Sequence, residues 1–177
     1  FSTGEPVEEM VDSDETLSKE ANRLLSAFHL ANSAIRRVAD GNAAYQGMGT
    51  TVSAVYLTED SLIAANVGDS PIYLIRNGAV DLLSKPHTLM AEQEALFPEG
   101  QRQLGDNFKH ILTKAMGIDD EVTADVCEIH PFAGDCVVIC SDGLSNKVEP
   151  KELVELTQKH SPAQACKKLV DIANQRG

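Results

Sequence analysis

Two residues, Asn77-Gly78, separate the aliphatic run IYLIR at 72–76 from AVDLL at 79–83. So short a connection leaves only a tight hairpin, and Asn-Gly suits the type I′ turn because both central residues take positive φ there. A second pair of runs stands just upstream, TVSAVYL at 51–57 and SLIAANV at 61–67, turning at Glu59-Asp60. The spacing predicts four consecutive antiparallel strands with short connections. Tryptophan is absent and aromatics are only 5% of the chain, so the core must rest on Val, Ile, Leu and Ala.

Before this block, Leu17, Ala21, Leu24, Leu25, Phe28, Ala31, Ile35 and Val38 recur at the three-and-four spacing of one helical face. They predict a helix from about Leu17 to Ala39, ended by Asp40-Gly41-Asn42. The acidic stretch 5–16 (EPVEEMVDSDET) reads as a loop or lead-in. After the hairpins, a short helix is expected around Leu89 to Phe97, a helix over HILTKAM at 110–116, and a strand at Val122 to Ile129. Gly134-Asp135 turns the chain into VVICSDGL at 137–144. Two closing helices follow: one from about Pro150 to Lys159, the other with Ser161 as N-cap, Pro162 at its first position and Gly177 past its end. Helix, strands, then helices give an α+β chain with helices layered on antiparallel sheet.

Fifteen basic against 27 acidic residues leave a formal charge of −12, which repels nucleic-acid phosphates and anionic membranes at long range. Neither is expected as a partner. The acidity suits either a protein that holds cations or an ordinary solvated surface. Cys127, Cys136, Cys140 and Cys166 form no C-x-x-C pair and have no histidine at zinc-finger spacing. A reduced, cytoplasmic setting is expected.

VVICSDGL ends an apolar run in a carboxylate. Burying an unpaired Asp costs several kcal/mol, so Asp142 must reach the exposed end of its strand or find a compensating partner. Gly143 permits a sharp exit, and by itself Asp-Gly after a strand is a turn. NVGDS at 66–70 is a second acid-bearing turn whose side chains can bond their own backbone. GMGTT at 47–51 is neither a Walker A loop, since no Gly-Lys-Ser/Thr follows, nor a dinucleotide fingerprint, since the third glycine is missing.

In order, however, GMGTTVSAV, NVGDSPIYLIRNG, LSKPHT, HILTKAMG and VVICSDGLSNKV closely resemble blocks of the metal-dependent serine/threonine protein phosphatases of the PP2C type, bacterial branch. The resemblance runs from about Gly47 to Gly177. It implies an antiparallel β-sandwich flanked by helices, α-β-β-α, and hydrolysis of phosphoserine and phosphothreonine with two Mn²⁺ or Mg²⁺ ions. The water they bridge attacks in line, without a covalent phospho-enzyme. Two such ions about 4 Å apart lower the nucleophile's pKa and neutralise phosphoryl charge, and hard ions of this kind take oxygen ligands. By the same resemblance Asp142 is a metal ligand, while Gly49, Thr50, Thr51, Asp69, Ser70 and Gly143 support the site.

The sequence departs from the family in four places. The upstream Asp-Gly block, whose Asp bridges both metals, and the closing Gly-x-Asp-Asn-x-Thr block both lie outside Phe1 to Gly177. One domain incomplete at both ends, with its outer strands missing, is therefore expected. Pro86 replaces the Asp of Asp-His-Thr/Ser, so a third ion is not expected. Pro71 replaces an arginine. Residues 89–109 would form the flap beside the site, and His87 or His110 is either a packing residue or a proton donor to the leaving oxygen. The expected partner is a phosphoprotein and the expected state a monomer. The alternative is an inactive relative serving as a phosphoprotein-binding or regulatory module.

Overall fold

The computed structural model describes residues 14–97, 108 and 111–177. Most of the acidic stretch 5–16, part of the expected flap and His110 lie outside these residues.

Helix α1 spans Lys19–Asp40. Its N-terminus forms where the sequence offers a cap: the Ser18 hydroxyl accepts from the Ala21 N–H at 3.1 Å. Its apolar face, with Phe28 at the centre, packs on Ala65, Val67, Met116 and Val122. Val38, expected on that face, is 50% exposed, and the neighbouring Ala39 is buried in its place.

Strands β1 (Val52–Leu57) and β2 (Leu62–Val67) form the first hairpin, and β3 (Ile72–Arg76) and β4 (Ala79–Leu82) the second. At the second turn Asn77 and Gly78 have φ of 52° and 81°, the paired left-handed geometry expected of Asn-Gly. The two hairpins do not pair with each other. β5 (Asp125–Ile129) joins β2 and β6 (Cys136–Ile139) joins β3, both antiparallel, giving two three-stranded sheets in the orders β1-β2-β5 and β4-β3-β6. The expectation of four strands in sequence therefore holds for pairing within each hairpin and fails between them. The turn 66–70 carries the chain from one sheet to the other.

That crossing explains why β2 is buried along its whole length. Ala65 and Val67 face α1, whereas Leu62 and Ala64 meet Ile72, Val137 and Cys127 between the sheets. On the far side Ile75 packs against Val148, Leu153 and Leu169. The last two belong to helices α4 (Pro150–Lys159) and α5 (Pro162–Gln175), each opened by a capping box and a proline in its first turn. The layers are thus α-β-β-α, as expected.

Two local expectations are corrected. Within 111–116 the chain is extended rather than helical: Thr50 and Met116 exchange both backbone bonds, at 3.0 and 2.8 Å, and Leu112 bridges Thr88. Seven residues are too few to separate a helical period from a buried extended run. The strand of the VVICSDGL segment stops at Ile139, and Asp142 begins a one-turn helix α3 (Asp142–Ser145).

Candidate metal centre

Asp142 is exposed at the start of α3, beyond the strand end, so the question raised by an acid after an apolar run has a direct answer. The Cys140 N–H bonds the Pro71 carbonyl at 3.2 Å, closing the sheet before the chain turns. Asp142 then lines an open cleft of ≈ 280 Å³ together with Ser145 and Asn146 of the same turn. Asp69, half-buried in the turn between the sheets, lines the same cleft. The remaining wall is Pro86, Thr88 and one side of helix α2 (Leu89–Leu96), from Met90, Ala91 and Glu94.

The lining acids are carboxylates, with hydroxyl and amide oxygens beside them, and it includes neither a thiol nor an imidazole. These carboxylate, hydroxyl and amide oxygens are the donors that hard divalent ions take, and the thioether of Met90 is too soft to compete. Among the described residues no group of three or more His, Cys, Asp or Glu side chains is close enough to hold an ion by itself. The donors thus fit Mg²⁺ or Mn²⁺ in kind and supply part of a site. Cys140 does not line the cleft, and burial pushes its thiol up to about 11.

The supporting residues divide. Ser70 and Thr51 meet hydroxyl to hydroxyl at 2.8 Å behind the turn. At Gly49 a Cβ would stand 3.1 Å from the Met116 carbonyl oxygen and 2.8 Å from Ile118 Cδ1, the tip of a half-exposed side chain, and Thr50 acts through its backbone bridge to Met116. Neither residue lines the cleft. At Gly143 a Cβ would meet only Ser141 Oγ, at 3.5 Å, so the sharp exit expected of this glycine is not what the packing requires.

Two buried polar residues outside the cleft, Asn32 and His87, tie distant segments together. Asn32, 1% exposed on α1, donates to the carbonyls of Asp119 and Asp120 at 3.0 and 3.1 Å and accepts from the Gly117 N–H at 2.6 Å. Every polar atom of its amide is satisfied, so it stitches α1 to the loop before β5. His87 is 2% exposed and bonded at both ring nitrogens, to the Gly68 N–H at 3.0 Å and to Asp125 at 2.6 Å. Of the two roles expected for it, packing residue or proton donor, the geometry gives the first: it is a buried strut. Burial would raise the Asp125 carboxyl, but the His87 bond, with Lys85 and Lys114 at 3.5 and 3.6 Å, holds it below the usual range.

A second cavity of ≈ 450 Å³ lies on the other side of α2, sharing Pro86 and Ala91 with the first. Lys85, Lys114 and Glu92 face it. No helix among the described residues is long and apolar enough to cross a membrane.

Comparison with known proteins gives one consistent result. The family model described as Protein phosphatase 2C matches residues 3–174. A putative protein phosphatase 2C-type of Streptococcus pyogenes is 38% identical over 138 residues, 75% of this chain and 55% of that protein. The crystal structure of the serine/threonine phosphatase Stp1 of Staphylococcus aureus superposes with a TM-score of 0.79 at 26% identity, covering 96% of this chain and 66% of that one. The catalytic domain of the serine/threonine protein phosphatase PstP, solved in complex with two manganese ions, superposes with a TM-score of 0.79 at 29% identity, covering 93% and 69%. The chain spans little more than half the length of the curated relatives it matches.

Proposed function

This chain belongs to the protein phosphatase 2C family, and on that premise we propose that the intact protein hydrolyses phosphoserine and phosphothreonine in proteins. The observation that carries the reading is the meeting of Asp69 and Asp142 in one oxygen-lined cleft where the two sheets join. Asp142 is a ligand of a divalent ion in this reading, delivered by α3. Asp69 lines the same cleft, with Ser70 and Thr51 as its support.

Bound Mn²⁺ or Mg²⁺ would lower the pKa of water and neutralise charge on the phosphoryl group. This chain's residues do the rest by position. The Ser145 hydroxyl and Asn146 amide stand beside Asp142 as hydrogen-bond donors for phosphate oxygens. The apolar side of α2, through Met90 and Ala91, excludes water along one rim. Asp142, with Asp69 and Glu94 on the same cleft, would hold part of such a metal centre, and the remaining ligands would come from outside the described residues. A reduced, cytoplasmic setting agrees with four free cysteines. The matched relatives named above are phosphatases, so the non-catalytic alternative is not carried forward.

The test is hydrolysis of a phosphothreonine peptide by the polypeptide with its flanking segments, with Mn²⁺ and then with excess chelator. Metal-dependent release of phosphate is expected. A fully metal-loaded, folded protein that releases none overturns the reading.

A further inference from the structure

Gly68, immediately before Asp69, is gripped from two sides. On one side there is no space: Gly68 has φ of 102°, and a Cβ there would fall 2.3 Å from Thr51 Cγ2. On the other side stands His87. Its backbone N–H donates to the Gly68 carbonyl at 3.1 Å, and the Gly68 N–H donates to its Nδ1 at 3.0 Å. Main chain and side chain of one residue thus close on both polar groups of one glycine.

The ring's protonation follows from its partners. A backbone N–H can only donate, so Nδ1 is the acceptor and the ring proton sits on Nε2. Nε2–H donates to Asp125 Oδ2 at 2.6 Å. Asp125 opens β5, where it pairs with Asn66. Asn66 in turn donates to the Gly68 carbonyl at 3.2 Å and exchanges bonds with the Lys85 backbone at 2.8 and 3.0 Å. The Thr113 N–H donates to the His87 carbonyl at 3.0 Å, joining a third segment. Every one of these groups is satisfied without substrate or ion. None of them lines the cleft.

We propose that His87, kept in its Nε2–H tautomer by Asp125, is a positioning residue: it sets where Asp69 and Ser70 stand relative to Asp142. The assignment rests on the reading of the cleft as a phosphatase metal site. Asp69 directly follows the glycine that the His87 ring grips, so losing the ring moves the carboxylate, while the backbone bonds of His87 to Gly68 and Thr113 still hold the start of α2. A misplacement of about 1 Å at a reacting centre costs on the order of 100-fold in rate.

The experiment uses the polypeptide with its flanking segments and compares wild type, His87→Ala and His87→Asn. The Asn amide oxygen falls near the place of Nδ1 and keeps the acceptor for Gly68. With Mn²⁺ and a phosphothreonine peptide, His87→Ala should lose about 10- to 100-fold in kcat with KM little changed, and His87→Asn should recover most of it. Long-range ¹H–¹⁵N spectra of the metal-free wild type should place the ring proton on Nε2. The amide signals of Asp69 and Ser70 should shift in His87→Ala and return towards wild type in His87→Asn. A proton on Nδ1, or a folded His87→Ala with wild-type kcat, overturns the proposal. If His87→Ala does not fold, a His87→Asn variant with kcat as low as an Asp142→Asn control overturns it. If metal-loaded wild type shows no hydrolysis, the phosphatase reading falls by itself. The spectra then decide this proposal, and unmoved Asp69 and Ser70 signals in His87→Ala overturn it.

Discussion

Thr51 Oγ1 and Ser70 Oγ lie 2.8 Å apart, so the residue leading into β1 is tied to the turn that carries Asp69 into the cleft. The bond links the first sheet to the crossing between sheets. Replacing Thr51 by Val keeps the shape and deletes the hydroxyl. The Ser70 hydroxyl then loses a half-buried partner, and the fold should lose about 1 kcal/mol, read as a lower denaturant midpoint with unchanged slope.

Asp142 is exposed and lies on a single helical turn. Asp142→Asn should therefore leave the thermal midpoint within a degree or two, since surface changes are usually within about 0.5 kcal/mol. Metal-dependent turnover should fall by at least about 100-fold if its carboxylate holds an ion. Parallel melting curves and kcat measurements check both halves.

Gly68→Ala puts a methyl group where Thr51 already stands and forces an L-residue to φ of 102°. A cost above about 2 kcal/mol is expected. Chemical denaturation monitored by far-UV circular dichroism gives the value.

Phe28, 3% exposed, fills the space between α1 and the first sheet. Phe28→Ala should cost about 3–5 kcal/mol through lost burial and the cavity left behind. The expected readout is a large drop in unfolding free energy for the described layers as a unit.

Two bidentate ion pairs predict the acid limb. Arg76 binds Asp135 at 2.7 and 2.9 Å, and Arg176 binds Glu152 at 2.7 Å through two nitrogens. Each pairing, with a backbone N–H, holds its carboxyl down at about 2. Folded values below the unfolded ones mean that the contribution is complete above the ordinary carboxylate range. It is lost as pH falls from about 4 towards 2. Thermal midpoints measured across that window should drop, and Asp135→Asn with Glu152→Gln should flatten the drop.

Much of the architecture was legible because its signals are local. The positive φ needed at Asn77 and Gly78, the Ser18 cap of α1 and the Ser161-Pro162 start of α5 each depend on a few adjacent residues. Where the signal was short it misled: HILTKAM has apolar residues at helical spacing, yet Met116 is held extended by Thr50 from the far end of β1. The acids Asp69 and Asp142 stood out through the order of their motifs, a resemblance rather than a spacing rule. Met90 and Glu94, on the same cleft, carried no signal of their own.

By itself the sequence determined the two hairpins, the long first helix, the two closing helices and the α+β order, since backbone conformation at a turn or cap answers to immediate neighbours. Only the tertiary structure decided that the second hairpin enters a different sheet, that Asp69 and Asp142 line one cleft, and that His87 is a strut between Gly68 and Asp125. Those relations join residues far apart in the chain. A buried polar atom takes whichever partner the packed layers bring to it.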